Sequence, residues 1–159
     1  MMDKNKATID FLLTCEAIHN SPLYFNLSHQ EAGSKLFVTQ TDDKNIEEPY
    51  INGAVKKRYS LTVISFCSMS TMPIAKVKDK PDKNMEDYAE VETLMKWIRD
   101  EKKADIYPDF GEDCLIEDMY TTAETPKIDY IDATVTPPIA KYSFTFRVEY
   151  IDNSEVIWK

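Results

Sequence analysis

The carboxylates on either side of Gly111 are the residues whose types and spacing could do chemistry. Asp109, Glu112 and Asp113 fall within one short turn of the 159-residue chain. Carboxylates this close together can act as a general acid and a general base, or can bind Mg²⁺ through their oxygen atoms. A small metal-dependent hydrolase that uses these three residues is therefore one hypothesis. The favoured interpretation is that they belong to a solvated acidic loop.

The sequence contains no complete cofactor or metal motif. Gly33, Gly53 and Gly111 are the only glycines, and they are too far apart to form a dinucleotide-binding loop or a Walker-type phosphate loop. Cys15 and His19 have i,i+4 spacing and could share one face of a helix, but no second pair completes a metal site. We therefore expect no catalytic residue, no cofactor and no metal, and we expect that the protein is not an enzyme.

Three successive cations, Lys56, Lys57 and Arg58, follow an Asn52-Gly53 turn and begin the strongest strand pattern of the chain. A second group of lysines follows the other end of that strand. In a chain with a formal net charge of −9, these cations could pair with acidic surfaces of another copy, and such complementarity sets register more than affinity. The alternative is that they are edge-strand lysines that discourage aggregation.

The last residues include a short apolar group, Val156, Ile157 and Trp158, carried on a polar spacer. Such a group docks either on the protein's own core or on a neighbour, and aromatic anchors are typical of interfaces. We therefore predict a subunit or partner interface from cations, aromatic residues and one isoleucine. Its members are Tyr50, Lys56, Lys57, Arg58, Lys76, Lys78, Lys80, Ile157 and Trp158.

Length and charge restrict the class of protein. A chain of 159 residues is expected to form one domain, residues 1–159, with a hydrophobic core of its own. The net charge of −9 and the pI near 4.7 argue against binding to duplex DNA or to anionic lipid, since both need clustered cations. We expect no signal peptide and no membrane span, and the three separated cysteines predict reduced thiols in a cytosolic protein.

Two helices are predicted from apolar residues that recur at helical spacing. The first covers about residues 3–20, and either Asp3 or Thr8 can cap its start. The second covers residues 84–103, with Asn84 as the predicted N-cap. Acidic residues at its start and lysines at its end match the two poles of the helix dipole.

Strands are predicted over residues 35–41, 55–70, 114–122 and 140–150. The strand over 55–70 has apolar residues on both faces, which predicts a central strand covered on each side. The last strand alternates between apolar and polar residues, which is typical of an antiparallel sheet packed on helices.

These elements predict an α+β fold. We expect a single antiparallel (mixed) sheet of about four strands, packed against an N-terminal helix and one central core helix. Two long loops are predicted: a lysine-rich loop near 71–84 and an extended loop or arm near 121–138. A tail over 152–159 follows the last strand.

Taken in order, these elements resemble the tail-terminator, or tail-completion, proteins of long-tailed bacteriophages, some of which are labelled minor capsid proteins. The resemblance covers nearly the whole chain, and it consists of order and spacing and not of one sharp motif. The segments that carry it are the N-terminal helix, PYINGAVKKRYSLTVISF, VETLMKWIRDEKK, YPDFGEDCLIEDMYTT and AKYSFTFRVEYID. The lysine-rich loop and the 121–138 segment depart from the family pattern because both are longer than in typical members.

The resemblance implies a homohexameric ring that caps the assembled tail tube, stops its polymerisation and faces the head connector. The implied partners are other copies of the chain, the tail tube protein and a head-completion or connector protein, while DNA passes through the lumen without specific binding. The subunit would be made in the host cytoplasm, would end in the virion and would meet no membrane. In a closed ring, each subunit contacts the next one through two different patches. Contact between the cations at residues 56–58 and acidic loops of the next copy would be of this kind. The alternatives are another neck or tail component, such as a head-completion or tail-tube protein, and the hydrolase.

Overall fold

A computed structural model describes residues 3–18, 22–26, 32–39, 44–45, 50–70 and 83–154 of the chain. In these ranges two α-helices and one mixed sheet form an α+β fold, which confirms the predicted class. The helices are α1 (Lys4–Leu12) and α2 (Lys83–Lys103), and a single 3₁₀ turn covers Glu16–Ile18. The strands are β1 (Leu23–Phe25), β2 (Lys35–Thr39), β3 (Lys44–Asn45), β4 (Val55–Ser68), β5 (Cys114–Thr121), β6 (Lys127–Asp132) and β7 (Ile139–Asp152).

Strands β4 and β7 form the centre of the sheet. They pair antiparallel over their whole length, from Val55 opposite Asp152 to Ser68 opposite Ile139. The strand order is β1-β2-β4-β7-β5, while β3 also pairs with β4 and β6 also pairs with β7. The sheet is mixed because β1 runs parallel to β2, while the other pairs are antiparallel.

Along the outer edge of each central strand, two shorter strands pair one after the other. Since β7 occupies one edge of β4, strands β2 and β3 follow each other along the opposite edge, against residues 61–65 and 57–58. In the same way β5 and β6 follow each other along the outer edge of β7, against residues 146–152 and 139–143. The four predicted strands are therefore confirmed, and the short strands β1, β3 and β6 were missed.

The 121–138 segment is not one extended loop or arm, so that prediction was wrong. Residues Lys127–Asp132 form β6, and the Thr122 N–H donates to the Thr145 carbonyl at 3.0 Å, which keeps the chain beside β7 between β5 and β6. The prolines of this segment suggested a loop, but all of them lie outside β6. Pairing of an edge strand through its backbone does not require large apolar side chains.

The main core lies between the helices and one face of the sheet. The Phe11 ring of α1 lies 5.0 Å from the Trp97 ring of α2 and 6.4 Å from the Phe146 ring of β7. Burial of large apolar side chains such as these stabilises the fold by roughly 1.5–3 kcal/mol per side chain. Other buried members from α2, β4 and β7 are Val91, Leu94, Met95, Ile98, Tyr59, Leu61, Val63, Phe144, Val148 and Tyr150.

The face of the sheet turned away from α1 and α2 is called the distal face here. A smaller buried cluster of Leu36, Ile64 and Phe66 lies on it. Side chains on both faces of β4 are therefore buried in the second half of the strand, as the sequence predicted. Toward the start of β4, the distal face carries charged residues instead.

The starts and ends of the helices differ in part from the predictions. Asp3, and not Thr8, caps α1, because its carboxylate accepts hydrogen bonds from the backbone N–H groups of Asn5 and Lys6 at 3.0 and 3.2 Å. The helix ends at Leu12, well before the predicted residue 20. The Thr14 hydroxyl donates to the Phe11 carbonyl at 2.7 Å, where a continuing helix would place a backbone donor.

Helix α2 begins at Lys83, so Asn84 lies inside the helix and is not its N-cap. Its amide group instead binds both backbone groups of Ser70, accepting from the N–H at 2.8 Å and donating to the carbonyl at 3.0 Å. These bonds hold together the two ends of the 71–82 segment, most of the predicted lysine-rich loop, which lies outside the described residues. Neither helix in the described ranges has the length and apolar character needed to cross a bilayer.

Candidate subunit interface

The basic cluster begins beside a tight turn over residues 50–54. The Tyr50 N–H donates to the Ala54 carbonyl at 2.8 Å, and the Gly53 N–H donates to the Tyr50 carbonyl at 2.9 Å. Gly53 has a φ of 91°, a conformation that side chains disfavour. The predicted turn at Asn52-Gly53 is thus confirmed. It presents the half-exposed ring of Tyr50 next to Ile51, whose side chain is 95% exposed.

Strand geometry divides the basic cluster between two faces. Successive side chains of β4 point to opposite faces of the sheet. Lys57 lies opposite Tyr150 of the core and therefore points to the helix face, whereas Lys56 and Arg58 point to the distal face. The sequence predicted one group of three cations, but the pleat of the strand separates Lys57 from its two neighbours.

Lys57 has its partner within the same subunit. Its Nζ lies 3.0 Å from Oδ2 of Asp152, and the Asp152 side chain is only 14% exposed. Burial alone would raise the pKa of the Asp152 carboxyl, but hydrogen bonds from the side chain and backbone of Ser154 and from Lys57 outweigh burial and lower that pKa to about 2. Lys57 therefore has an ion-pair partner within its own subunit, and its place in an interface stays a prediction.

On the distal face, Lys56 also has a partner. Its Nζ lies 3.2 Å from Oε2 of Glu117. A β-bulge between Ile116 and Asp118 sets this geometry. Asp118, next to Glu117, pairs with Lys102 at the end of α2 at 2.6 Å. Since both carboxylates belong to β5, these pairs link the edge strand to β4 on one side of the sheet and to α2 on the other.

Arg58 differs from its two neighbours in the cluster. It lies opposite Glu149 of β7, yet in the described ranges its guanidinium has no hydrogen bond and no ion pair. Arg147 lies two residues before Glu149 on the same face, opposite Ser60 of β4 and Tyr120 of β5. Its Nε is buried and has no hydrogen-bond partner. Among the residues that the structure describes, the distal face therefore carries two arginines without an ion pair.

Arg147 was not among the site residues predicted from the sequence. The strict alternation of the last strand already placed it among the polar residues of β7, but its closeness to Arg58 depends on the register of β4 against β7. The remaining members of the predicted interface, Lys76, Lys78, Lys80, Ile157 and Trp158, lie outside the described residues.

The acidic turn, residues 109–113, lies on the helix side of the sheet. The Phe110 ring packs in edge-to-face geometry against Tyr59 at 5.7 Å and Tyr150 at 5.3 Å, and both of these rings belong to the core. Asp109 accepts a hydrogen bond from the Gly111 N–H at 2.9 Å. A cleft of about 500 Å³ lies beside the turn, lined in part by Lys4, Glu112 and Asp113.

Within the described ranges, no group of three or more histidine, cysteine, aspartate and glutamate side chains could hold a metal ion. Of the i,i+4 pair Cys15 and His19, for which no metal was expected, His19 lies outside these ranges. Cys15 and Cys67 are free thiols in the core, and burial raises the pKa of both thiols. At neutral pH these two cysteines are therefore thiols and not the nucleophilic thiolate form.

A buried lysine, Lys35, is a second feature that was not predicted from the sequence. The Nζ of Lys35 lies 3.0 Å from Oε1 of Glu90 and 3.1 Å from the Ser65 hydroxyl. The Ser65 hydroxyl lies in turn 3.7 Å from the sulfur of Cys67. A pocket of about 300 Å³ lies beside this cluster. Through these two contacts the Lys35 amine links β2 to β4 and to α2.

No protein-family model and no curated protein matches this sequence. In the part of the chain that the structure describes, the fold and the site define a general class: an α+β protein with its helices on one face of a mixed sheet and two arginines without an ion pair on the other.

Proposed function

We propose that this protein is a structural subunit of the tail or neck of a long-tailed bacteriophage. It forms a homo-oligomeric ring, expected to be hexameric, that caps the tail tube, ends tail polymerisation and joins the tail to the head connector. Its partners are other copies of itself, the tail tube protein and the head-completion or connector protein. It is made in the host cytoplasm, it becomes part of the virion, and it performs no catalysis.

The main support is the charge arrangement on the distal face. An acidic chain of net charge −9 leaves Arg58 and Arg147 without an ion pair in the described ranges. An arginine Nε that is buried without a partner has itself lost hydration and gained no bond in return, which is unfavourable for an isolated subunit. An assembly that brings carboxylates to this face removes that cost. Further copies of the same acidic chain can supply them.

The outer edge of the sheet gives further support. In the described ranges no strand pairs with the free side of β5 or β6. Large apolar side chains are exposed along this edge, at Leu115, Ile128 and Ile131. Exposed edge strands with apolar side chains promote association, and monomeric proteins usually protect such edges. An edge of this kind suits a subunit whose functional form is an assembly.

The net charge suits the proposed lumen. A ring of six copies would carry a formal charge of about −54 before its partners bind. DNA is also negatively charged, and proteins that hold it do so through phosphate contacts with lysine and arginine. A ring of acidic subunits would therefore let DNA pass without specific binding.

The test is the oligomeric state of the full-length chain. We expect light scattering after size-exclusion chromatography to give the mass of a ring, either for the chain alone or after mixing with the tail tube protein of the same phage. Negative-stain images should then show closed rings at tube ends. A chain that remains monomeric at all accessible concentrations, even with tube protein present, would contradict the proposal.

The same experiment separates the neighbouring roles. A tail-tube protein would polymerise into long tubes, and a head-completion protein would bind the connector and not the tube end. For the hydrolase hypothesis, calorimetric titration with Mg²⁺, Mn²⁺ and Zn²⁺ is decisive, with a triple Asp109→Ala, Glu112→Ala, Asp113→Ala variant as control. We expect no heat of binding in either protein, and metal binding that the triple variant loses would support the hydrolase instead.

A further inference from the structure

The environment of Arg147 is unusual for a protein that functions as a monomer. Its Nε is buried without a hydrogen-bond partner, although the large majority of buried side-chain polar atoms in native proteins have one. Its neighbours across the sheet, Ser60 and Tyr120, are uncharged. A guanidinium forms its strongest contacts with carboxylate or phosphate, which it binds through two parallel hydrogen bonds. The position therefore indicates an anion that comes from outside the subunit.

Arg58 lies near Arg147, so that the two arginines together can bind one anionic group. Arg58 lies opposite Glu149, and Arg147 lies opposite Ser60, so the two arginines are diagonal neighbours on adjacent strands. Diagonal pairs in antiparallel sheets lie about 7–8 Å apart, a separation that long side chains can bridge to a common ligand. Within the described ranges Glu149 forms no ion pair with either arginine, so this internal carboxylate does not occupy the site.

The acidic turn has the complementary charge and lies where its own subunit cannot use it. Phe110 fixes the turn on the helix side of the sheet through Tyr59 and Tyr150, whereas Arg58 and Arg147 lie on the distal face. The Glu112 side chain is exposed and forms no hydrogen bond or ion pair within the described part of the chain. Because the sheet separates the two surfaces, contact between them requires a second copy.

We propose that Arg58 and Arg147 form a carboxylate-binding site that receives the acidic turn, residues 109–113, of a neighbouring copy, with Glu112 as the entering side chain. This inference rests on the proposed homo-oligomer and specifies its contact. Two different patches meet, so the contact is heterologous and propagates around a ring. The protein's net charge of −9 favours a carboxylate over a nucleic-acid phosphate as the ligand, because nucleic acid would be repelled by the rest of the surface.

Charge reversal with rescue tests the contact. Arg147→Glu and Glu112→Arg should each raise the concentration needed for half assembly by about tenfold or more, since each variant places like charges together. The double variant should recover most of the assembly. Lys96→Glu is the control, because it reverses an exposed charge of α2 that pairs only with Asp100 in the described ranges, and it should assemble like the wild type. Thermal unfolding of each variant checks that the fold is retained.

A peptide of residues 105–115 gives a second readout that does not need the ring. It should bind the wild-type chain and bind Arg147→Gln at least about tenfold more weakly, which is the effect expected from loss of a charged hydrogen bond.

If wild-type rings form and neither charge reversal weakens them, the inference is wrong while the proposed function stands. If the chain stays monomeric with tube protein but binds the peptide through Arg147, the site stands and the ring proposal fails. If Arg147 binds a single-stranded oligonucleotide and not the peptide, phosphate is the ligand and the inference is overturned.

Discussion

Lys57 and Asp152 form an ion pair on the helix face of the two central strands, with Nζ 3.0 Å from Oδ2. The pair joins the start of β4 to the end of β7. The Lys57 charge is therefore paired within its own subunit. Of the cluster Lys56, Lys57 and Arg58, only Arg58 keeps an unpaired charge in the described ranges.

The Asp152 carboxylate, which accepts hydrogen bonds from Ser154 and Lys57, predicts a loss of stability in acid. The pKa of the Asp152 carboxyl in the folded protein is about 2, below its ordinary value of 3.8. Its contribution to stability is therefore fully present above about pH 4 and is lost as the pH falls toward 2. We expect Asp152→Asn to lower the free energy of unfolding at pH 7 by on the order of 1–2 kcal/mol. Urea unfolding at several pH values measures this.

The pH dependence of the stability difference between wild type and Asp152→Asn is the observation that can contradict this prediction. The difference between wild type and Asp152→Asn should shrink between pH 4 and pH 2, because the wild-type carboxyl becomes protonated there. Asp100→Asn breaks the exposed pair with Lys96 and should cost less, since water screens it. A difference for Asp152→Asn that stays constant down to pH 2 would show that the ion pair does not stabilise the fold.

The two hydrogen bonds between Asn84 and Ser70 predict that Asn84→Ala destabilises the protein. Each bond contributes about 0.5–1.5 kcal/mol, so we expect a loss of about 1–2 kcal/mol in urea unfolding. Glu86→Gln, in the same first turn of α2, is the matched control and should change stability by less than about 1 kcal/mol through the helix dipole. Equal effects of the two substitutions would mean that the bonds to Ser70 contribute nothing.

Arg147→Met should separate stability from assembly. It removes a guanidinium whose Nε is buried without a partner, so we expect the free energy of unfolding of the monomer to rise by about 1 kcal/mol. The same change should weaken the proposed ring, because the ligand for the carboxylate is lost. Urea unfolding at low protein concentration measures the first effect, and light scattering at high concentration measures the second. A variant that is less stable as a monomer would show that Arg147 serves the fold.

Two leucines on opposite sides of the fold provide a test of the core. Leu61 on β4 is fully buried, whereas Leu115 on β5 is 57% exposed. Leu61→Ala should cost about 2–5 kcal/mol because it leaves a cavity, whereas Leu115→Ala should stay within about 0.5 kcal/mol for the monomer. Urea unfolding of the two variants measures both costs. Similar costs would place Leu115 in a packed environment and would weaken the argument for an exposed edge.

The sequence predicted the long elements well for a clear physical reason. In α2 and β7, the apolar residues follow the period of the structure over many positions, so burial of one face and local propensity agree. The short strands β3 and β6 were missed because pairing through the backbone leaves little trace in side-chain pattern. Asn84 was assigned to a cap because the bonds that it makes to Ser70 depend on how the chain returns after residue 82.

The sequence by itself determined the class of fold, the faces of the long strands and the existence of opposite charges in separate segments, because each of these depends on residues near one another in the chain. The tertiary structure alone decided which charges cancel. Lys57 meets Asp152 across a gap of 95 positions, while Arg58 and Arg147 become neighbours without partners in the described ranges. Those outcomes follow from the register of β4 against β7, where a shift of one residue would exchange the two faces of the sheet.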